Sequence, residues 1–153
     1  MIVDIQTEEQ YMEEYLLIYY SETSKRSIGL TLDGTFQALQ GKPVEIFRQW
    51  CNQAGTSLEG RLDCFKKLTG TRQKPSIYVG GVPPVIFVPT TSMKKLECIY
   101  LRADQIEKVK SSGLMTEVTF HQKITYKIPV SARNLRQRVR LSMEYVNNLR
   151  YPG

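Results

Sequence analysis

Histidine occurs once in this chain, tryptophan once, and cysteine three times. The lone imidazole, His121, falls at an expected hairpin turn with no acid or nucleophile beside it. A catalytic triad, a histidine metal cluster and a histidine general base are therefore all hard to assemble. Cys51, Cys64 and Cys98 are odd in number, and their spacing fits neither a zinc ribbon nor a CxxC redox site. A reduced, cytoplasmic setting is expected, with Cys51 and Cys98 as packing residues and Cys64 partly exposed. No apolar run approaches the roughly 20 residues of a membrane span. The longest, 15–20 and 82–88, are strand-sized, and prolines break the second. Residues 1–14 are acidic and lack the basic flank and apolar stretch of a secretion signal. Gly80-Gly81 lacks the lysine and helix start of a phosphate loop. Nothing here argues for an enzyme, and no catalytic residue, metal ligand or cofactor is expected. At 153 residues and 41% apolar composition, one domain can bury roughly 70% of its unfolded surface without a disulfide or metal.

What the chain does have is unevenly placed charge. The formal net charge is +6. Residues 1–60 hold four basic side chains against nine acidic ones, and residues 61–153 hold 17 basic against six acidic. The second part, at +11, is basic enough to attract a polyanion. A solvated lysine-rich surface and a nucleic-acid footprint both fit that charge.

Residues 15–22 read as a strand rich in β-formers. Ile28, Leu30 and Leu32 alternate with polar residues, and Asp33-Gly34 supplies a tight turn before a strand over 35–40. Val44, Phe47, Trp50, Cys51 and Ala54 then recur at helical spacing between Pro43 and Gly55, with Trp50 as a core anchor. Ser57 is placed to cap a second helix ending at Gly70. Leu58, Leu62, Phe65 and Leu68 would share one face of it, and Gly60 would leave its first turn irregular. Strands are expected at 76–79, 85–88 and 96–101, while 103–110 fits a helical turn as well as a strand. Val118, Phe120, Ile124, Tyr126, Ile128 and Val130 all fall on even positions, a hairpin with one buried face turning at His121-Gln122-Lys123. Ser131 caps a final helix striped by Leu135, Val139, Met143, Val146 and Leu149. The order β-β-β-α-α-β-β-β-β-β-α does not alternate. The expected fold is α+β, a mainly antiparallel sheet with a central helix pair and a C-terminal helix, in a single domain over 1–153.

Two basic clusters stand out. Arg61, Lys66, Lys67, Arg72 and Lys74 place five cations in fourteen residues against Asp63 alone, on a helix and the loop after it. Arg133, Arg136 and Arg140 fall within about 60° of one another on the last helix. Arg133 sits in its first turn, where the dipole disfavours a cation unless a phosphate is bound there. A solvated arginine face, or a dimer contact through acidic residues, would suit the second cluster too. The helix pair 43–55 and 57–69 superficially fits a helix-turn-helix. Its second helix, however, opens on Leu58, Glu59 and Gly60, where base-reading side chains would be wanted.

The run SLEGRLDCFKKLTGTRQKPSIYV…PPVIFVPTTSMKKLECIYL, followed by TEVTFHQKITYKIPVS and an Arg/Asn-rich helix, resembles ComK, the competence transcription factor of Gram-positive bacteria. The resemblance lies in Gly60-Arg61, the loop 71–75 ending in Lys74-Pro75, Pro89-Thr90, Ser92 and Cys98. It continues through the strand 116–120, Pro129-Val130-Ser131 and the helix after it, and covers about 56–149 in one order. It implies a sequence-specific activator of DNA-uptake genes, bound as a homo-oligomer to paired A-tract/T-tract boxes on double-stranded DNA from the minor-groove side. A narrow, strongly negative A-tract groove attracts arginine and lysine without a recognition helix. The resemblance also implies an adaptor that hands the protein to a Clp protease. The family's longer C-terminal tail is missing here, where the sequence stops at Tyr151-Pro152-Gly153. Two other readings stand beside this one. One is a protein-interaction regulator of the same fold that uses its acidic first third. The other is a single-strand binder stacking bases on its nine tyrosines and five phenylalanines.

Overall fold

Tertiary structure is described by a computed structural model over residues 2–4 and 12–149. Most of the acidic 1–14 start, and the Tyr151-Pro152-Gly153 end, lie outside the described residues. The chain is α+β. Strand β1 (Ile2–Asp4) runs parallel to β4 (Phe36–Leu39), and every other pairing is antiparallel. Between them the chain forms β2 (Tyr15–Ser21) and β3 (Arg26–Thr31). Helices α1 (Pro43–Gln53) and α2 (Leu58–Thr69) follow, then β5 (Ile77–Gly80), β6 (Val85–Pro89) and β7 (Tyr100–Arg102). A seven-stranded sheet results, in the order β1-β4-β3-β2-β7-β6-β5. Strands β8 (Ile106–Ser112), β9 (Met115–Phe120) and β10 (Thr125–Ile128) make a second sheet, and helix α3 (Ala132–Leu149) ends the fold.

Period-two alternation along the strands sorts their side chains between two cores. Val85 and Phe87 of β6 and Tyr100 of β7 meet Ile46, Phe47, Trp50 and Cys51 of α1. Ile86, Val88 and Leu101 face the other way, onto Val118, Phe120 and Ile128 of the small sheet and Leu135, Tyr145 and Val146 of α3. Phe47 anchors the first core, its ring 5.0 Å from Phe87 and 4.9 Å from Tyr100. In β2 the register shifts between Tyr15 and Leu17. This bulge sends Leu16 and Leu17 both into the second core, while Tyr15 and Ile18 enter the first.

The helix ends follow the sequence signals. Ser57 Oγ accepts the Gly60 N–H at 3.0 Å, and Gly70, at φ 76°, gives its N–H to the Lys66 carbonyl. The first turn of α2 is therefore regular. A Cβ at position 60 would lie 2.9 Å from Ser57 Oγ, so the glycine makes room for the cap.

Three expectations need correcting. The apolar stripe of α2 does not enter one core: Leu58 and Leu62 pack in the first core, Phe65 in the second, and Leu68 is 65% exposed. The helix bridges two cores, so its one stripe is divided between them. The strand expected over 96–101 shortens to Tyr100–Arg102, because 91–97 folds as a turn in which the Lys95 N–H bonds the Ser92 carbonyl. The ambiguous 103–110 resolves as a 3-10 turn (Ala103–Gln105) followed by β8.

Gly29 of β3 lies under the Tyr15 ring, which is held in place by a 3.0 Å bond from its hydroxyl to Gln37 Oε1. A Cβ on residue 29 would sit 2.6 Å from that ring. Gly29→Ala is expected to cost about 1–3 kcal/mol through overpacking, read as a lower urea midpoint with an unchanged m-value.

Candidate nucleic-acid interface

Thr69 and Gly70 turn the chain sharply out of α2. Thr69 Oγ1 donates to the Phe65 carbonyl at 2.6 Å and accepts the Thr71 N–H at 3.2 Å. The loop then returns to β5 through Lys74, which takes a left-handed φ of 51° just before Pro75. Further on, the buried Ser76 and Ser142 hydroxyls meet at 2.6 Å, and Ser142 Oγ also donates to the Arg138 carbonyl. Residues 71–75 are thus pinned at one end to α2 and at the other to α3.

This path gathers Lys66, Arg72 and Lys74 around a notch of about 390 Å³, with Leu62, Gln73, Pro75, Ser92 and Met93. Lys94, from the turn after β6, completes the lining. Sequence reasoning passed over Lys94; the Lys94-Lys95 pair in TSMKKLEC was its only signal. Lys66 and Lys67 occupy the last turn of α2, where a cation complements the helix dipole. Lys67 is exposed but does not line the notch.

Arg61 is placed apart from the other four. Its guanidinium carbon lies 4.5 Å above the Tyr78 ring centroid, and its Nε is buried without a hydrogen-bond partner. The side chain lies between α2 and β5, packed against protein on one side.

The second cluster keeps its expected geometry. Arg133, Arg136 and Arg140 are exposed and, with Gln137, line a shallow depression on α3. Arg136 Nε donates to the Val109 carbonyl of β8 at 3.0 Å, which fixes the helix against that edge strand. Ser131 Oγ caps the helix by accepting the Asn134 N–H at 3.2 Å. A fourth arginine, Arg138, points inward and donates to the Pro89 and Thr90 carbonyls at 2.6 and 3.4 Å. Burial lowers its pKa.

Arg48–Glu59, Arg102–Asp104 and Lys123–Glu107 form ion pairs between described side chains. None uses a cation of either cluster. Exposed cations on rigid elements with no carboxylate partner are placed to neutralise an external polyanion. Among the described residues no group of three metal-ligating side chains occurs, and no helix is long and apolar enough to cross a membrane. Cys51 and Cys98 are buried and Cys64 is exposed. Burial pushes the Cys51 thiol pKa up, as suits a packing residue.

No curated protein and no solved structure matches the chain. A family model does: that of the ComK protein matches residues 15–150. The matched stretch takes in β2 through α3 and both basic clusters. The chain belongs to the ComK family, a family of competence transcription regulators.

Proposed function

We propose that this protein binds duplex DNA as a sequence-specific activator of competence genes, in the cytoplasm and as a homo-oligomer, and prefers A-tract/T-tract boxes approached from the minor groove. The observation that carries this reading is the notch lined by Lys66, Arg72, Lys74 and Lys94, whose charges have no acidic partner. Two of the four lie on a loop braced at both ends, so they can follow a phosphate backbone without being ordered first. The exposed arginine face of α3 supplies a second contact. Paired boxes place one copy beside another, which is the reason to expect an oligomer on DNA.

The test is a titration of A-tract and G·C-rich duplexes at two salt concentrations. Log K should fall with log salt by about 0.9 for each phosphate neutralised, so the four notch cations alone give a slope near −3.6 and the three arginines of α3 steepen it toward about −6. The A-tract duplex should bind more tightly, and a minor-groove ligand should displace the protein. Absence of binding at low ionic strength overturns the reading and favours a regulator that works through protein contacts alone.

A further inference from the structure

Strands β8 and β9 are joined by the shortest kind of hairpin. Ser112 pairs with Met115, so Gly113 and Leu114 alone make the turn. Gly113 has φ 65°, which places glycine at the first central position of a type II′ turn. Leu114 therefore occupies the outermost position, and it is 99% exposed. A polar residue would serve the turn as well and meet water at lower cost, so the leucine has no role within the fold.

The ground leading to that tip is basic. Thr116, next but one to the turn, donates its hydroxyl to the Val130 carbonyl, just before the start of α3. Arg136 reaches the middle of β8 at Val109. These two contacts lay the first turns of α3 along β8, with Arg133 toward the tip and Arg140 away from it. Lys108 and Lys110 are exposed on the same strand. The one acid of β8, Glu107, is ion-paired with Lys123 at 2.7 Å, and Glu117 lies opposite Lys110 in register without an ion pair.

We propose that the β8–β9 hairpin is a DNA wedge: Leu114 inserts between two base pairs from the minor groove, while Lys108, Lys110, Arg133 and Arg140 hold the flanking phosphates. This rests on the reading of the protein as a duplex-DNA binder and adds to it a mode of deformation. An apolar side chain presented beside cations is the chemistry by which minor-groove proteins unstack a step and kink the duplex, by roughly 20–90°. The step entered is a pyrimidine–purine step at the border of an A-tract, since the tract itself is stiff and TA or CA steps unstack readily.

The experiment uses the full chain and a boxed duplex carrying 2-aminopurine at the border step and a dye at each end. Wild-type protein should raise 2-aminopurine fluorescence and shorten the end-to-end distance. Leu114→Ala should abolish both signals and weaken binding by about tenfold, the loss of one buried leucine partly offset by unstacking no longer required. Leu114→Met should keep both signals. Leu114→Lys should bind at least as tightly as Leu114→Ala at low salt and still leave the duplex straight. If wild-type protein binds the duplex but leaves it straight and stacked, or if Leu114→Ala bends it fully, the wedge is wrong and the DNA reading stands. If no duplex is bound at low salt, both fall together. The thermal midpoint of each variant should match wild type, because the side chain touches nothing in the fold.

Discussion

Arg102→Ala should destabilise the protein by about 3–5 kcal/mol, the usual cost of leaving a buried charge without its partner. Arg102 is the most enclosed of the chain's described arginines, at 3% exposure. Its Nε and Nη2 grip the Asp104 carboxylate at 2.9 and 2.6 Å, and its Nη1 donates to the Glu13 and Tyr15 carbonyls at 3.2 Å each. Asp104 in turn accepts the Ile86 N–H at 3.2 Å. One substitution therefore strands a carboxylate and backbone carbonyls, and loosens the join between β2, β6 and β7. The loss is a large part of the 5–15 kcal/mol that holds an ordinary domain folded. Urea denaturation would show it as a collapsed midpoint. Arg102→Met, which keeps much of the packing volume but leaves the same carboxylate and carbonyls unpaired, should cost less but still exceed about 1 kcal/mol. A midpoint within error of wild type for both would mean the pair contributes nothing. Arg102 also shows why counting cations overstates the binding surface, since this charge is spent inside the protein.

Neutralising Lys66, Arg72 and Lys74 together, each to glutamine, should weaken binding to an A-tract duplex on the order of a hundredfold at low salt. The salt slope should flatten by nearly three units. These side chains line one notch, are free of ion pairs and pack in neither core, so stability should move by less than about 0.5 kcal/mol. Lys74→Gly sharpens the test. The residue sits at φ 51°, where a side chain costs about 1 kcal/mol that glycine does not. That variant should lose one unit of slope while its thermal midpoint holds or rises. Calorimetry and a salt titration read the two effects separately. Unchanged affinity in the triple variant would move the contact to Arg133, Arg136 and Arg140.

Much of the fold is legible in the sequence because its signals are local. Asp33-Gly34, Ser57, Gly70 and Ser131 act within a turn of their own position, and the even-numbered apolar run from Val118 to Val130 reports a pleat directly. The misreadings are tertiary. Leu58 and Phe65 share a helical stripe yet enter different cores, because α2 touches both β5 and α3. The bulge at Leu16 cannot be read from a stretch where both neighbours are apolar. The site behaves in the same way. Lys66, Arg72 and Lys74 are close in sequence and stay close in space. Arg61 belongs to the same stretch, but an aromatic face takes it elsewhere, and Lys94 arrives from a turn twenty residues further on. Arg138 shares its helix with three exposed arginines, and only the carbonyls of Pro89 and Thr90 show that it turns inward.

The place of β2 in the large sheet bears on how the protein is made. Its strand partner on one side, β3, follows within a few residues, but on the other side Leu17 pairs with Leu101 and Ile18 with Tyr100. At ordinary elongation rates of about 5–20 residues per second, roughly 4–14 s pass between synthesis of the first partner and the second. For that interval the nascent meander of β2, β3 and β4 carries an apolar strand, Leu16-Leu17-Ile18-Tyr19-Tyr20, paired on one side only and forming its open border. Such a border is a template for pairing with another chain. The acidic residues clustered on either side of it, Glu13, Glu14 and Glu22, place like charges at both its ends, and those charges repel a second nascent copy until β7 arrives to close the edge.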